Sequence, residues 1–184
     1  MLKVLHNRLL SFKLPIPLIF ASSGRVRLPF STVASQNSIS KSLLSSTNNV
    51  SSMNVLVYSG PGTTKPGVSQ CLDTFRLLLS PYYSVSSVNE RVLKDQPWES
   101  KTAVLVIPGG ADLPMCQLFR GTINQKIKDF VRKGGKFIGL CSGAYYSSSR
   151  CEFEVGNPEM EVSGPRELKF YPGICRGSAI KGFH

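Results

Sequence analysis

Short apolar runs alternate with helical repeats of apolar residues between positions 53 and 184. Continuous apolar runs predict buried strands at 54–58, which is stopped by Ser59-Gly60, and at 103–107, which is stopped by Pro108-Gly109. A similar run at 136–140 predicts another strand, and the weakly alternating segment 82–88 predicts a fourth. Apolar residues at helical spacing predict one helix over 68–79, ending at Ser80-Pro81, and another over 123–131, closed by Gly134-Gly135. Strands that alternate with helices in this way predict an α/β domain whose parallel sheet is covered on both faces. After Arg150 the pattern degrades into segments rich in Gly and Pro, which favours loops up to His184.

Residues 1–52 differ in composition from the rest of the chain. They contain 12 Ser and six Lys or Arg, and no Asp or Glu, which is typical of a mitochondrial transit peptide. Two alternatives stay open: a secretory signal with its apolar region at 14–21, which Pro15 and Pro17 interrupt, and a translation start at Met53. We therefore expect a basic, Ser-rich extension at 1–52, targeting-like or disordered, and one folded domain at 53–184. The location is mitochondrial if the extension is a transit peptide, and otherwise cytoplasmic.

The charge and the cysteine pattern narrow the classes of function. Of the net charge of +11, the first 52 residues carry +6, and the remainder is spread over 53–184. Only the run from Lys126 to Lys136 is locally basic there, and it is interpreted as the solvated face of a helix rather than a phosphate-binding patch. Nucleic acid is therefore not the expected partner. The chain has no uncharged apolar window of 18 residues, so we expect no membrane span. Five Cys at uneven spacing and two His predict neither a metal site nor a disulfide framework, and no cofactor is indicated.

The candidate chemistry lies in the segment FIGLCSGA at 137–144. A strand, then Cys141, then small residues that open a helix form the pattern of a nucleophile elbow, in which Gly139 and Gly143 allow close backbone approach. The N–H of Ser142 would face an oxyanion formed by attack at Cys141. Gly110, in the loop Pro108-Gly109-Gly110 after another strand, is placed to supply a second N–H donor. We also expect Gly109, Asp112 and Gly143 to contribute to ligand binding.

A general base for Cys141 is not evident. A cysteine nucleophile normally needs one, usually a histidine, but His6 lies in the extension and His184 is the last residue. A carboxylate of Glu152, Glu154 or Asp112 could lie nearby, although the spacing selects none of them. Of the other cysteines, Cys71 lies on the apolar face of a predicted helix and is interpreted as core. The remaining three, without a partner at any useful spacing, are interpreted as incidental: Cys116, Cys151 and Cys175.

Four segments in order resemble one known family. They are MNVLVYSGPGTT, VIPGGADLP, FIGLCSGAYY and MEVSGPRELKFYPG, beginning at residues 53, 106, 137 and 160. Together they resemble the N-terminal domain of eukaryotic, chiefly fungal, biotin–protein ligases. The resemblance implies a class I glutamine-amidotransferase-like domain with a flavodoxin-like, three-layer parallel sheet. It also implies that Cys141 matches the nucleophile, and Gly110 and Ser142 the oxyanion-hole positions.

The sequence departs from that family in two places. The family domain continues into further strands and a His in a Gly-Pro-His-type segment, and the ligase catalytic domain carries a Gly-Arg-Gly-Arg-type loop. Neither segment occurs here. We therefore expect a C-terminally truncated domain that acts as a non-catalytic binding or regulatory module linked to protein biotinylation. Its expected partner is a biotin-ligase catalytic domain or a small carboxamide ligand. An active Cys141-dependent amidotransferase or hydrolase, and a redox-sensing Cys141, are the alternatives.

Overall fold

A five-stranded sheet forms the centre of the fold in the computed structural model, which describes residues 18–22 and 53–179. The strand order is β1-β5-β4-β2-β3. Strands β2 to β5 run parallel to one another, and β1 runs antiparallel to its neighbour β5. The strands are β1 (Leu18–Ser22), β2 (Asn54–Tyr58), β3 (Ser84–Val88), β4 (Thr102–Ile107) and β5 (Lys136–Leu140). The four predicted strands are thereby confirmed. Across the sheet, the four parallel strands stand in the order β3-β2-β4-β5. The earliest of them in the chain, β2, lies between the next two, β3 and β4, which is the flavodoxin-like order.

Within the described residues, five α-helices connect or follow these strands. The Thr64 side chain caps the first by accepting a hydrogen bond from the N–H of Gly67, and Pro66 stands in its first turn. The predicted helices over 68–79 and 123–131 are confirmed as α1 and α4. The six-residue helices at 90–95 and 113–118 were not predicted, because they are too short to show a periodic pattern. The bounds are α1 (Lys65–Leu79), α2 (Glu90–Asp95), α3 (Leu113–Leu118), α4 (Thr122–Arg132) and α5 (Ser142–Ser147), with a 3₁₀ turn at Glu99–Lys101.

Apolar side chains cover both faces of the central sheet, as expected. On one face, Val55 and Val57 of β2 pack in one cluster with Phe75 of α1. On the other face, Leu105 and Ile107 of β4 belong to a larger cluster with side chains of α2, α3 and α4, including Leu93, Met115 and Ile127. Successive residues of a strand point to opposite faces, so each of the strands β2 to β5 contributes to both clusters. The result is a three-layer α/β arrangement.

A second sheet follows the elbow, and here the prediction of loops after Arg150 was wrong. Strands β6 (Ser148–Phe153), β7 (Val162–Pro165) and β8 (Tyr171–Gly177) form a sheet in the order β7-β6-β8. Strand β6 is antiparallel to β7 and parallel to β8. The sequences VSGP and YPGICRG contain Gly and Pro inside the strands, which weakens the strand signal. Tertiary pairing with β6 forms these strands where the local pattern favours loops.

The strand β1 comes from the basic extension. Its five residues pair with β5 from Leu18 against Leu140 to Ser22 against Lys136. The division at residue 52 and the transit-peptide interpretation stay predictions. The rest of the extension and His184 lie outside the described residues. In residues 18–22 and 53–179, no helix is long and apolar enough to cross a bilayer. The same ranges contain no group of three or more His, Cys, Asp and Glu side chains that could hold a metal ion.

Candidate functional site

Cys141 stands at the carboxyl end of β5, in a backbone conformation that few residues adopt. Its φ of 52° and ψ of −115° lie in the positive-φ region, which is strained for a residue with a side chain. The chain turns here directly from β5 into α5. The carbonyl of Cys141 accepts hydrogen bonds from the N–H groups of Ala144 and Tyr145, at 2.9 and 3.2 Å. This strand, strained residue and helix form the elbow that the sequence predicts.

Two glycines allow the elbow to lie close to the end of β4. A Cβ atom placed on Gly143 would be 2.3 Å from the carbonyl oxygen of Ile107, and one on Gly139 would be 2.5 Å from that of Gly143. Neither position has room for a side chain. Gly143 therefore has a packing role against β4, and its expected role in ligand binding stays a prediction.

The loop after β4 lies directly against Cys141. A Cβ atom on Gly109 would be 3.1 Å from the Cys141 Cβ and 3.6 Å from its Sγ. The hydroxyl of Ser142 donates a hydrogen bond to the carbonyl of Pro108 at 3.4 Å. The structure thus brings Gly109 against the predicted residues Cys141 and Ser142, from which it is distant in sequence.

A third loop, which the sequence reasoning did not include in the site, supports the loop after β4. The N–H of Ala111 donates to the carbonyl of Gly62 at 2.9 Å, and the N–H of Thr64 donates to that of Gly109 at 3.2 Å. Gly110 has a φ of 148°, and a Cβ there would be 2.2 Å from the Gly62 oxygen. The signal that could have found this loop is the run SGPGTT directly after β2, since the ends of parallel strands meet at one edge of the sheet.

The two predicted oxyanion-hole donors have no acceptor within the described part of the chain. Neither the N–H of Gly110 nor that of Ser142 donates a hydrogen bond to another described residue. Both belong to the segments that contact Cys141. Backbone N–H groups without a protein acceptor are available to an oxygen atom of a ligand.

Asp112 is held by a buried ion pair. The Arg166 Nε donates to the Asp112 carboxylate at 2.6 Å, with 3% and 6% of the two side chains exposed. Burial alone would lower the pKa of Arg166, but the hydrogen bond and charge of Asp112 outweigh it and raise the pKa. The pair connects the loop after β4 with the segment Gly164-Pro165, whose carbonyls accept from Arg166 Nη1 at 3.0 and 3.1 Å. The expected ligand contact of Asp112 stays a prediction.

The carboxylates considered as bases for Cys141 are all engaged elsewhere. Glu152 accepts hydrogen bonds from Arg176 and Arg150, at 2.8 and 2.9 Å, which hold its pKa below the usual range. Glu154 accepts from the N–H and the hydroxyl of Ser178, at 2.8 and 2.6 Å. Asp112 is bound to Arg166. None of the three is thereby directed to Cys141 as its base.

Tyr145, one turn after Cys141, connects the elbow with the second sheet. Its ring packs against Phe153 of β6, with 5.7 Å between the ring centroids. Burial raises the pKa of Tyr145, and negative charge on Cys151, Cys141 or Cys175 would raise it further. The electrostatic influence of three of the five thiols therefore reaches this hydroxyl. The sequence spacing did not indicate that grouping, because the second sheet was not predicted.

Two further thiols, those of Cys71 and Cys116, are kept protonated by burial. Burial raises the pKa of Cys71 and of Cys116 to about 11 each. Cys71 is 8% exposed and packs in the apolar cluster on α1, which confirms its interpretation as core. Cys141 is half-buried.

Comparison with known proteins gives one family match and two similar proteins. A family model described as "Biotin-protein ligase, N terminal" matches residues 53–184. A biotin–protein ligase of Schizosaccharomyces pombe is 39% identical over 131 residues, which is 71% of this chain and 21% of that protein. An uncharacterised protein of Chlamydia muridarum is 35% identical over 127 residues, or 68% of this chain and 49% of that protein. The chain thus spans about a fifth and about half of the length of these relatives. No solved structure matches the chain significantly.

Proposed function

The chain belongs to the family of biotin–protein ligase N-terminal domains, and we propose that it is a non-catalytic binding and regulatory module in protein biotinylation. Its ligand is a small carboxamide or a related carbonyl compound held at the elbow. Its macromolecular partner is the catalytic domain of a biotin ligase. The elbow of Cys141, joined to the loop of Gly109 and Gly110, is the observation that carries the proposal.

A carbonyl oxygen fits the polar groups of this site. The N–H groups of Gly110 and Ser142 have no acceptor among the described residues, and each follows directly in sequence one of the two residues in contact, Gly109 and Cys141. Two N–H donors that converge on one oxygen are the usual arrangement for binding a carbonyl group or an oxyanion. The rigid support of the loop by Gly62 and Thr64 holds such donors in place before a ligand binds.

Binding without turnover is favoured by how the nearby carboxylates are used. Glu152, Glu154 and Asp112 each accept hydrogen bonds from other groups, as described above. A thiol that attacks a carboxamide needs a base to take its proton and an acid to protonate the leaving amine. The described residues around Cys141 are therefore better suited to holding a carbonyl group than to cleaving it.

The proposal is tested by binding and by its effect on a ligase. The full chain is titrated with glutamine and with biotinamide while its melting temperature is recorded. It is also added to a biotin-ligase catalytic domain while biotin transfer to an acceptor protein is measured. We expect one carboxamide to raise the melting temperature and the chain to change the transfer rate about fivefold or more, the usual lower range of coupling between sites.

Two variants distinguish loss of ligand binding from loss of the folded structure. Gly109→Ala places a methyl group 3.1 Å from the Cys141 Cβ, and should abolish the ligand-induced rise in melting temperature. Cys116→Ser is the matched control, because this thiol lies on α3 and contacts the core. No thermal response to either carboxamide, together with an unchanged transfer rate, would refute the proposal.

The alternative function is an active Cys141-dependent amidotransferase or hydrolase of the class I type. The strained φ of 52° at Cys141 favours it, because such strain is common at catalytic nucleophiles. Ammonia release from glutamine that is lost in Cys141→Ser, but kept in Cys116→Ser, would establish turnover in place of the binding role.

A further inference from the structure

Strands β6 and β8 place two cysteines opposite each other. The parallel pairing is shifted between Ser148 and Arg150 and regular from there to Phe153, with Cys151 paired to Cys175. Paired residues of neighbouring parallel strands point to the same face of a sheet. In β8, residues 173, 175 and 177 are half-buried whereas 174 and 176 are exposed, so Cys175 faces the protein interior as Cys151 does.

The spacing of the two strands suits a covalent link. Neighbouring strands lie about 4.8 Å apart, and disulfides join Cα atoms that are roughly 4.4–6.8 Å apart. We propose that Cys151 and Cys175 form a reversible disulfide when the protein meets a hydroperoxide. This modification site is independent of the carbonyl-binding role proposed for Cys141.

The thiols of Cys151 and Cys175 differ in exposure, and they should therefore have different roles in the oxidation. Cys151 is 1% exposed, and its thiol donates to the carbonyl of Val162 at 3.4 Å. Cys175 is half-buried, so an oxidant reaches it first. The pairing also affects protonation. Burial and the negative charges of Asp112 and of a Cys175 thiolate raise the pKa of Cys151 to about 11, although Arg166 opposes this.

The oxidation balances with one hydroperoxide for each disulfide. The Cys175 sulfur attacks an oxygen of the hydroperoxide, so that an S–O bond forms, the O–O bond breaks and the corresponding alcohol or water leaves with the thiol proton. The Cys151 sulfur then attacks the sulfenic acid, so that the S–S bond forms, the S–O bond breaks and water leaves with the second thiol proton. Two thiols lose two electrons, and the hydroperoxide gains them.

Trypsin separates the five cysteines, which makes the link readable. Cleavage after Lys and Arg places Cys151 in the peptide 151–166 and Cys175 in the peptide 170–176. Cys141 lies in 137–150, Cys116 in 102–120 and Cys71 in 42–76. The full chain is treated with hydrogen peroxide, free thiols are blocked with iodoacetamide, and the tryptic peptides are identified by mass spectrometry with and without reductant.

We expect 151–166 linked to 170–176 within one molecule, and release of both peptides on reduction. The cross-linked species should be absent in Cys175→Ser and in Cys175→Ala, and present in Cys116→Ser, with folding of each variant checked by its melting curve. A link from either peptide to 137–150, or alkylation of both Cys151 and Cys175 after peroxide treatment, would overturn the proposal.

Discussion

At the scale of single residues, the five cysteines differ in exposure, and four of them have a raised thiol pKa. Cys71 and Cys151 are almost fully buried, and burial raises the pKa of these thiols, and of the half-buried Cys116, to about 11. Burial also raises the pKa of Cys175, although the hydroxyl of Ser148 opposes it. Since the thiolate is the nucleophile, these four side chains should react slowly near neutral pH, and the proposed oxidation of Cys175 by a hydroperoxide should be slow for the same reason.

Iodoacetamide should therefore modify Cys141 first. At pH 7.5 a thiol with a pKa of about 11 is ionised to roughly one part in 3,000, so Cys71, Cys116 and Cys151 should lag far behind. The time course of alkylation of the tryptic peptide 137–150, compared with the other four cysteine peptides, measures the order. Faster modification of Cys116 or Cys175 would contradict this expectation.

The buried pair of Asp112 and Arg166 gives a prediction on stability. In Asp112→Asn the guanidinium stays buried without its counter-charge, and the free energy of unfolding should fall by about 3 kcal/mol. Denaturant unfolding measures this loss. Asp73→Asn is the control, because the pair Asp73–Arg76 is 70% and 53% exposed and should contribute almost nothing. Equal effects of the two substitutions would count against a structural role of the buried pair.

The sequence could predict the elbow but not this ion pair. Cys141 and the glycines beside it lie in one short segment, whose order of strand, nucleophile and small residues is itself the signal. Asp112 and Arg166 are separated by 54 positions, and Arg166 lies in a segment that was expected to be loop. Partners at such separation become visible only when the second sheet brings the segment 164–166 to the loop after β4.

At the scale of elements, the start of α4 is held by the segment that follows β7. The Glu167 carboxylate accepts from the Asn124 amide at 2.7 Å and from the Gly121 N–H at 3.2 Å. Asn124 in turn accepts a hydrogen bond from the hydroxyl of Tyr146 on α5. Two helices and the segment after β7 therefore share one hydrogen-bond network, which is buried at Tyr146 and partly exposed at Glu167.

The protonation of Glu167 should make stability depend on pH. Burial acts to raise the pKa of Glu167, but the hydrogen bonds from Asn124 and Gly121 prevail and lower it. A carboxyl with a lowered pKa in the folded state stabilises the fold above its unfolded pKa of about 4.3, and this contribution disappears as the pH falls through the folded pKa.

Glu167→Gln should accordingly lower the melting temperature at pH 7 and have progressively less effect below pH ~4. Melting curves of both proteins between pH 7 and pH 3 test this. The exposed Glu159→Gln, which lies in the turn after β6, is the control. A difference between Glu167→Gln and the unsubstituted protein that stayed constant over this range would exclude the carboxylate as its cause.

Most of the predicted elements are those with continuous apolar or periodic segments. Strands β2, β4 and β5 are runs of apolar residues buried on both faces, and α1 and α4 show a clear helical repeat. Strands β7 and β8 were missed because half-exposed, Gly- and Pro-containing segments have no such signal. Their formation depends on pairing with β6, which local sequence does not encode.

At the scale of the whole molecule, the antiparallel strand β1 lies on the outer edge of β5. The five residue pairs between Leu18–Ser22 and β5 protect backbone groups that an edge strand would expose. Unpaired edges promote association with other chains. The extension therefore contributes to the sheet, whatever other role its basic composition serves.

Removal of residues 1–52 should cause self-association. The shortened chain presents β5 as an unprotected parallel edge, so we expect dimers or larger species in size-exclusion chromatography with light scattering at concentrations where the full chain is monodisperse. Removal of residues 1–14 alone, which keeps β1, is the control. A monodisperse, cooperatively melting monomer of 53–184 would contradict the protective role of β1.

The pairing of β1 with β5 also limits when another protein can bind residues 18–22. Residues 18–22 can be read by a receptor or cut by a peptidase only as free extended chain, but in the folded protein their backbone is paired along β5. Recognition and folding therefore compete for the same five residues. Any factor that binds residues 18–22 as extended chain must therefore act before this strand pairs with β5, because the folded sheet already uses the backbone groups of that segment.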